Sequence, residues 1–356
     1  MSSPKMNTLL ITVGMLILLS IPMSAAFPGR NGRIAFIKSV DNLAGTAVGD
    51  IFTVNPDGSD VKRVTFFASN TIAPVYVGWS PDGRQLVFDL FDTNTIQGQL
   101  WLVNADGSNP HLLLNDPSFN DGEPSFSPDG NHIAFVRCPL GSANCAIYEV
   151  RVDGSGLTVI IPINFNPDVF NGHPAYSPDG QTIAFTSTTR DGVLSAIYLA
   201  NSGGSDIHRL TPPEIEAWAP DWSPDGQKIV FSTRFFGVLD EEIWVINANG
   251  TKSTQLTNNN SHWNGYFTGA HDLFPTWSPQ GDAIVFERDA PDFSKSAIYV
   301  MNTNGTGQKL MLETPSRKAA ALPRAGGTTA GKDAAKDRLR LIEREGIVPR
   351  WGAAPN

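Results

Sequence analysis

One pattern recurs along this chain and constrains what it can fold into. In its clearest copy Trp222-Ser223-Pro224-Asp225-Gly226 is followed by Gln227-Lys228 and then by the apolar run Ile229-Val230-Phe231. The same order begins at Trp79, Phe126, Tyr176 and Trp277, with Gln280 replacing the Asp in the last copy. A worn sixth copy covers residues 28–36 and keeps only Ile34-Ala35-Phe36.

The spacing is regular. The motif serines are 80, 127, 177, 223 and 278, with Pro28 in the matching place of the worn copy, giving steps of 52, 47, 50, 46 and 55 residues. A second turn signature, Asp-Gly-Ser or a close variant, has its glycine at 58, 107, 154, 204, 250 and 305. From motif Ser to second Gly the distance is 27 in all five clear copies and 30 in the worn one. Such rigidity means one structural unit used six times.

Each unit reads as four strands. The first ends at the aromatic before Ser. Ser-Pro-Asp-Gly is a tight turn: proline presets φ, Asp favours the bend and Gly accepts positive φ. The second strand holds three apolar residues in a row, at 86–88, 133–135, 183–185, 229–231 and 284–286, which predicts burial on both faces. A third strand is expected at 51–54, 100–103, 147–150, 197–199, 243–246 and 298–301. The Asp-Gly or Asn-Gly turn then leads to a short fourth strand, at 61–65, 111–114, 157–161, 208–211, 253–257 and 308–312. Units of 46–55 residues are too long for the rungs of a β-helix. They predict an all-β six-bladed β-propeller of four-stranded antiparallel blades, each wedged between neighbours.

The two turn signatures, with Ile-Ala-Phe at 133–135 or 183–185 and Ile-Tyr-Val-Met-Asn at 298–302 between them, resemble the TolB-like propellers, also called WD40-like repeats. The resemblance covers roughly residues 27–312. It implies an exported propeller whose loops bind other proteins, a protein or peptide of the cell envelope being the expected partner.

The first blade lacks an inner strand. Residues 348–352 carry Pro349-Arg350-Trp351, which repeats the Pro-x-aromatic endings at 124–126, 174–176, 220–222 and 275–277. This closing segment (348–356) is predicted to return and complete blade one, the propeller proper being 27–313. Between them, 314–347 reads as a linker with a charged stretch at 332–345 that could form a helix. Residues 315–351 carry nine Lys/Arg and four Asp/Glu, a net +5 on a chain whose total is −9.

At the other end, residues 1–26 read as a signal peptide: Lys5, an apolar run of 13 residues from Leu9 to Ile21, and small residues at Ser24-Ala25-Ala26. An uncleaved anchor is the alternative. No later stretch is long and apolar enough to span a bilayer as a helix. The expected destination is the periplasm or the extracellular space. Cys138 and Cys145 share one short loop, and in an oxidising compartment they would close it as a disulfide. Negative net charge argues against nucleic acid as the main partner.

Turns built for structure are short and uniform. The links from second Gly to next Ser run 22, 20, 23, 19 and 28 residues, so binding is expected on the face that carries them. Around the channel mouth there, similar offsets gather Asp121, Glu123, Asn171, His173, Glu216, Trp218, His271 and Asp272. Such acids and imidazoles suit a cation, a basic peptide or a sugar. The longest link adds His262, Trp263 and Tyr266, a lip for peptide or carbohydrate. Neither Gly-x-Ser-x-Gly nor His-Glu-x-x-His occurs. A monomeric binding or scaffold module without a cofactor is the first expectation. A metal-assisted lyase or hydrolase on acidic polysaccharide, with a divalent metal on His173, His262 or His271, is the second.

Overall fold

The apolar triplet behind each turn is buried from both sides. Leu86-Val87-Phe88, Ile133-Ala134-Phe135, Ile183-Ala184-Phe185, Ile229-Val230-Phe231, Ile284-Val285-Phe286 and the worn Ile34-Ala35-Phe36 all have 0% exposure. In the computed structural model these triplets lie on the second strands of six antiparallel four-stranded sheets. The structure describes residues 29–41, 47–67, 71–92, 94–95, 97–142, 144–163, 170–188, 195–234, 241–259, 262–263, 266–267, 269–291, 295–315 and 349–354. The expected signal peptide and the stretch 332–345 fall outside them.

Side-chain alternation explains the burial. Leu86 and Phe88 pack toward blade one, among Ala35, Ile51 and Trp79, while Val87 between them packs toward blade three, among Phe126 and Phe135. Ile229 and Phe231 face blade four and Val230 faces blade six in the same way. Successive strand residues point to opposite faces, so a strand with a sheet on each side needs apolar residues throughout. Six such clusters join blades one–two, two–three, three–four, four–five, five–six and six–one. The last of them, with Ile34, Phe36 and Trp351 against Val285 and Ile298, closes the ring.

The inner strands of blades two to six are Ile72–Trp79, Phe119–Phe126, Asn171–Tyr176, Glu216–Trp222 and His271–Trp277. Blade one takes its inner strand from the far end of the sequence. Arg350–Ala353 pairs antiparallel with Asn31–Asp41, placing Trp351 opposite Ile34 and Arg350 opposite Ala35. The last outer strand, Lys309–Pro315, runs two residues into the stretch expected as linker.

Both turn signatures work through specific bonds. In the first, Ser80 Oγ donates to Asp82 at 2.7 Å, Ser177 to Asp179 and Ser223 to Asp225 at 2.6 Å. The same Ser oxygen accepts the amide five residues on, as Gln85 N to Ser80 Oγ at 2.9 Å. In the second, the glycine abuts the preceding blade. Gly107 has φ 85°, and a Cβ there would sit 2.5 Å from the Val64 carbonyl. At Gly58 it would sit 2.9 Å from the Met311 carbonyl of blade six. Glycine is required there twice over, by conformation and by contact.

Four outer strands have only two residues, such as His111–Leu112. In three of them, 62–63, 208–209 and 254–255, a threonine hydroxyl takes the place of a strand carbonyl. Thr65, Thr211 and Thr257 accept the amides of Ile51, Ile197 and Ile243 at 2.9, 3.2 and 2.9 Å. The longest link, expected as a plain loop, contains a hairpin that pairs His262 with Phe267 and Trp263 with Tyr266. Cys138 and Cys145 are disulfide-bonded and pack with Val136 and Phe170. No α-helix occurs among the described residues, and none there could cross a membrane.

Candidate functional site

The inner strands of blades two to six each carry a register shift. It falls between Pro74 and Val77, Gly122 and Ser125, Gly172 and Ala175, Trp218 and Asp221, and Leu273 and Thr276. The residue three before the motif aromatic sits in each shift: Tyr76, Glu123, His173, Ala219 and Phe274. Four of them take left-handed backbone, with φ 55°, 49°, 50° and 50° at Glu123, His173, Ala219 and Phe274. A bulge re-aims a side chain, and here it turns these residues toward the ring axis. Contacts between blades that do not adjoin show this. Tyr76 of blade two meets His173 of blade four and Phe274 of blade six, with ring centroids 5.8 and 6.2 Å apart.

The result is a plugged hub. Trp218 packs edge-on against Phe274 at 4.9 Å and lies 5.8 Å from His173. The Tyr76 hydroxyl stands 3.4 Å from His173 Nε2. Glu123 Oε2 accepts the His173 backbone amide at 2.7 Å and lies 3.7 Å from its Nδ1. Of the residues expected at the channel mouth, Glu123, His173 and Trp218 therefore come together. Tyr76 and Phe274 join them and were not foreseen.

Asp121 and Asp272 do not join the hub. Asp121 is gripped by Arg137 through two 2.7 Å bonds, with both residues buried. Arg288 grips Asp272 at 2.6 and 2.7 Å. Burial opposes the charge on each arginine, but the paired carboxylate outweighs it and holds the guanidinium above its ordinary pKa. Burial pushes Asp272 up, against the pull of Arg288. These are cross-strand pairs inside single blades. Asn171 is buried and donates to the Cys145 carbonyl at 3.2 Å, beside the disulfide. His271 is buried, with Nδ1 3.3 Å from Glu241. Glu216 is half-buried at the start of its strand. The side chains of His262, Trp263 and Tyr266 lie outside the described residues.

Behind the plug the axis opens into a cavity of about 90 Å³. Its walls include Glu123 and His173 at one end, Gly78, Ser125, Ala175, Asp221, Thr276 and Arg350 along the middle, and Pro128 at the level of the Ser-Pro-Asp-Gly turns. Asp221 accepts Trp277 N at 2.8 Å and the Thr276 hydroxyl at 2.9 Å. Burial raises its pKa, while those bonds and the Arg350 charge pull it down. Among the described residues no three His, Cys, Asp or Glu side chains are placed to hold a metal ion.

Known proteins resemble this architecture. Residues 177–288 match the family described as the N-terminal region of dipeptidyl peptidase IV. The Tol-Pal system protein TolB of Nitratidesulfovibrio vulgaris is 28% identical over a match covering 31% of this chain and 34% of that protein. Matches to curated relatives span about a third of those proteins, 28% and 34% of their lengths. Among solved structures, TolB from Acinetobacter baumannii superposes with TM-score 0.64 at 21% identity, covering 90% of this chain and 67% of that one. A putative TolB from Agrobacterium tumefaciens gives 0.59 at 21% identity, covering 82% and 92%. Six four-stranded sheets closed around a plugged hub make the chain a six-bladed β-propeller. Within that class its fold is similar to that of the two TolB structures.

Proposed function

We propose that this chain is an exported protein, in the periplasm or outside the cell, that holds a protein or peptide on the face carrying its inter-blade links. One observation carries the reading. In the five clear repeats the stretch from motif Ser to second Gly is constant at 27 residues, whereas the links vary from 19 to 28. Variation confined to one face of a rigid frame is the usual arrangement of a binding surface. The plug turns that face into a closed floor with Trp218 half-buried near its centre, and Trp263 and Tyr266 belong to the hairpin of the longest link. Export is supported by the disulfide, which persists in oxidising compartments. A partner in the cell envelope is supported by the likeness to a Tol-Pal system protein.

Photo-crosslinking tests the reading. A crosslinking residue at Trp218 or Trp263 should capture a saturable partner from envelope extracts, one lost when Trp263 and Tyr266 become Ala. Hydrogen exchange on the complex should then protect the links. Protection confined to the Ser-Pro-Asp-Gly turns, or capture of polysaccharide instead of protein, overturns it.

A further inference from the structure

The longest link is rooted on buried carboxylates at both ends. At its start, Glu242 of blade five accepts the Thr257 hydroxyl and the Asn259 amide, and Asp272 of blade six accepts the Asn259 side-chain amide at 2.6 Å. At its end, His271 of blade six stands 3.3 Å from Glu241 of blade five and pairs across strands with Asp289. All of these acids, with Glu287 and His271, are buried. Other seams fill the positions of Glu241 and His271 differently. Cys145 and Phe170 pack together there between blades three and four, and Gly98 donates its amide to the Asn120 side chain between blades two and three.

The two ends of the link differ in charge. At the start, Arg288 holds Asp272, and Glu242 has two donors. At the end, three carboxyls, Glu241, Glu287 and Asp289, cluster with one imidazole. Asp289 is bonded to Ser296 and to Glu287, and two carboxyls bond to each other only through a proton. The cations of the neighbouring strands are engaged elsewhere: Lys38 of blade one lies over the Phe52 ring, and Lys295 pairs at the surface with Glu313. A buried carboxylate without a countercharge is costly, so the closed cluster keeps a proton that an opened one would release. Burial accordingly pushes Asp289 up to about 6, with Glu241 adding to the rise. A folded value above the unfolded one gives stability that is present at low pH and lost as pH rises through that value.

We propose that this end of the link is a proton-operated joint between blades five and six: Asp289 keeps its proton while His271 and Glu241 stay in contact, and losing it sets a further carboxylate against one imidazole and loosens the root. Such a joint sets how firmly the longest link is held on the binding face. Only that use rests on the binding role proposed above, since the joint works without a partner.

Hydrogen exchange on the whole protein, with no partner present, tests it. Rates at 269–273 and 286–290 are followed at pH 5, 6, 7 and 8 and corrected for the pH dependence of free amides. The corresponding root at 118–122 is the control. Protection at 269–273 should fall roughly tenfold from pH 5 to pH 8, the linkage of one proton whose pKa drops from about 6 to about 4 on opening, while the control holds. In Asp289→Asn the fall should vanish. In Glu241→Gln it should begin at lower pH, because a charge that raises Asp289 is gone. The infrared band of protonated carboxyls should weaken over the same range in the parent, and that change should be missing from Asp289→Asn. Root protection independent of pH in the parent, or a fall unchanged in Asp289→Asn, overturns the joint. Neither result touches the link-face reading, which stands or falls with partner capture.

Discussion

Trp79 donates its indole N–H to the carbonyl of Arg350, 271 residues further along, at 3.2 Å. Trp222 does the same to Ala175 in the preceding blade, at 3.1 Å. The stitch that joins ordinary neighbours therefore also joins blade two to the late strand that completes blade one. Trp351, 7% exposed, packs into the blade six–blade one cluster. Trp351→Ala should cost roughly 3–5 kcal/mol, as large buried aromatics do. Chemical denaturation measures it, and truncation before Val348 should lower the melting temperature further. An unchanged melting temperature on truncation would show that the closing strand contributes nothing.

The Asp121–Arg137 pair is buried on both sides. Breaking it from one side strands a charge. Asp121→Ala alone should destabilise by roughly 3–5 kcal/mol, and Asp121→Leu with Arg137→Met by much less. A double-mutant cycle by urea unfolding reads the coupling. Equal losses in the single and double variants would refute the expectation.

Asp289 has a pKa pushed up to about 6, chiefly by burial, with Glu241 adding to the rise while Ser296, Glu287 and His271 oppose it. Its folded value lies above the unfolded one, so the folded state holds the proton more tightly. That stabilisation is complete below about pH 4 and disappears as pH rises through about 6. Asp289→Asn should accordingly be more stable than the parent at pH 7.5, by roughly 1–3 kcal/mol. The advantage should shrink at pH 5 and vanish near pH 4. Melting curves at the three pH values settle it, and an advantage independent of pH would contradict the assignment.

Two glycines separate conformation from contact. Gly107 has φ 85° and lies against the Val64 carbonyl, whereas Gly141 has φ 79° with nothing within 4 Å of an added Cβ. Gly141→Ala should cost about 1 kcal/mol from the backbone alone. Gly107→Ala should cost clearly more. Equal losses would mean that the inter-blade contact yields freely.

Gln280 looks like a defect in the last repeat, and restoring Asp looks like an easy gain. Here it is not one, because Asp282 already accepts the Ser278 hydroxyl at 2.7 Å and the Asn31 side-chain amide at 3.1 Å. Gln280→Asp should give no increase in melting temperature, whereas Asp282→Ala should cost about 1 kcal/mol, the worth of an ordinary hydrogen bond. A clear gain from Gln280→Asp would show that the substitute carboxylate is inferior.

The frame was legible because its turns demand particular residues. Pro81, Asp82 and Gly83 follow from backbone geometry, and the triplet at 86–88 follows from a sheet on each side. Its hub was not legible in the same way. Tyr76, Glu123, His173, Ala219 and Phe274 occupy one column of the repeat but share no chemistry, and a bulge aims them inward. The aligned column would have exposed Tyr76 and Phe274, since both stand three residues before the motif aromatic. Asp121 and Asp272 were drawn to the channel mouth by their position. The arginines that claim them stand 16 residues later in each case, at 137 and 288, and that repeated offset was the missed signal.

A blade assembled from opposite ends imposes an order on synthesis. The strand Asn31–Asp41 leaves the ribosome early, but its partner Arg350–Ala353 follows only after the other five blades have been made. Until then the nascent protein carries an unpaired edge, the kind that invites pairing with another chain. Five blades must wait with that flank uncovered, so chaperone timing bears on yield more than the finished ring's stability would suggest.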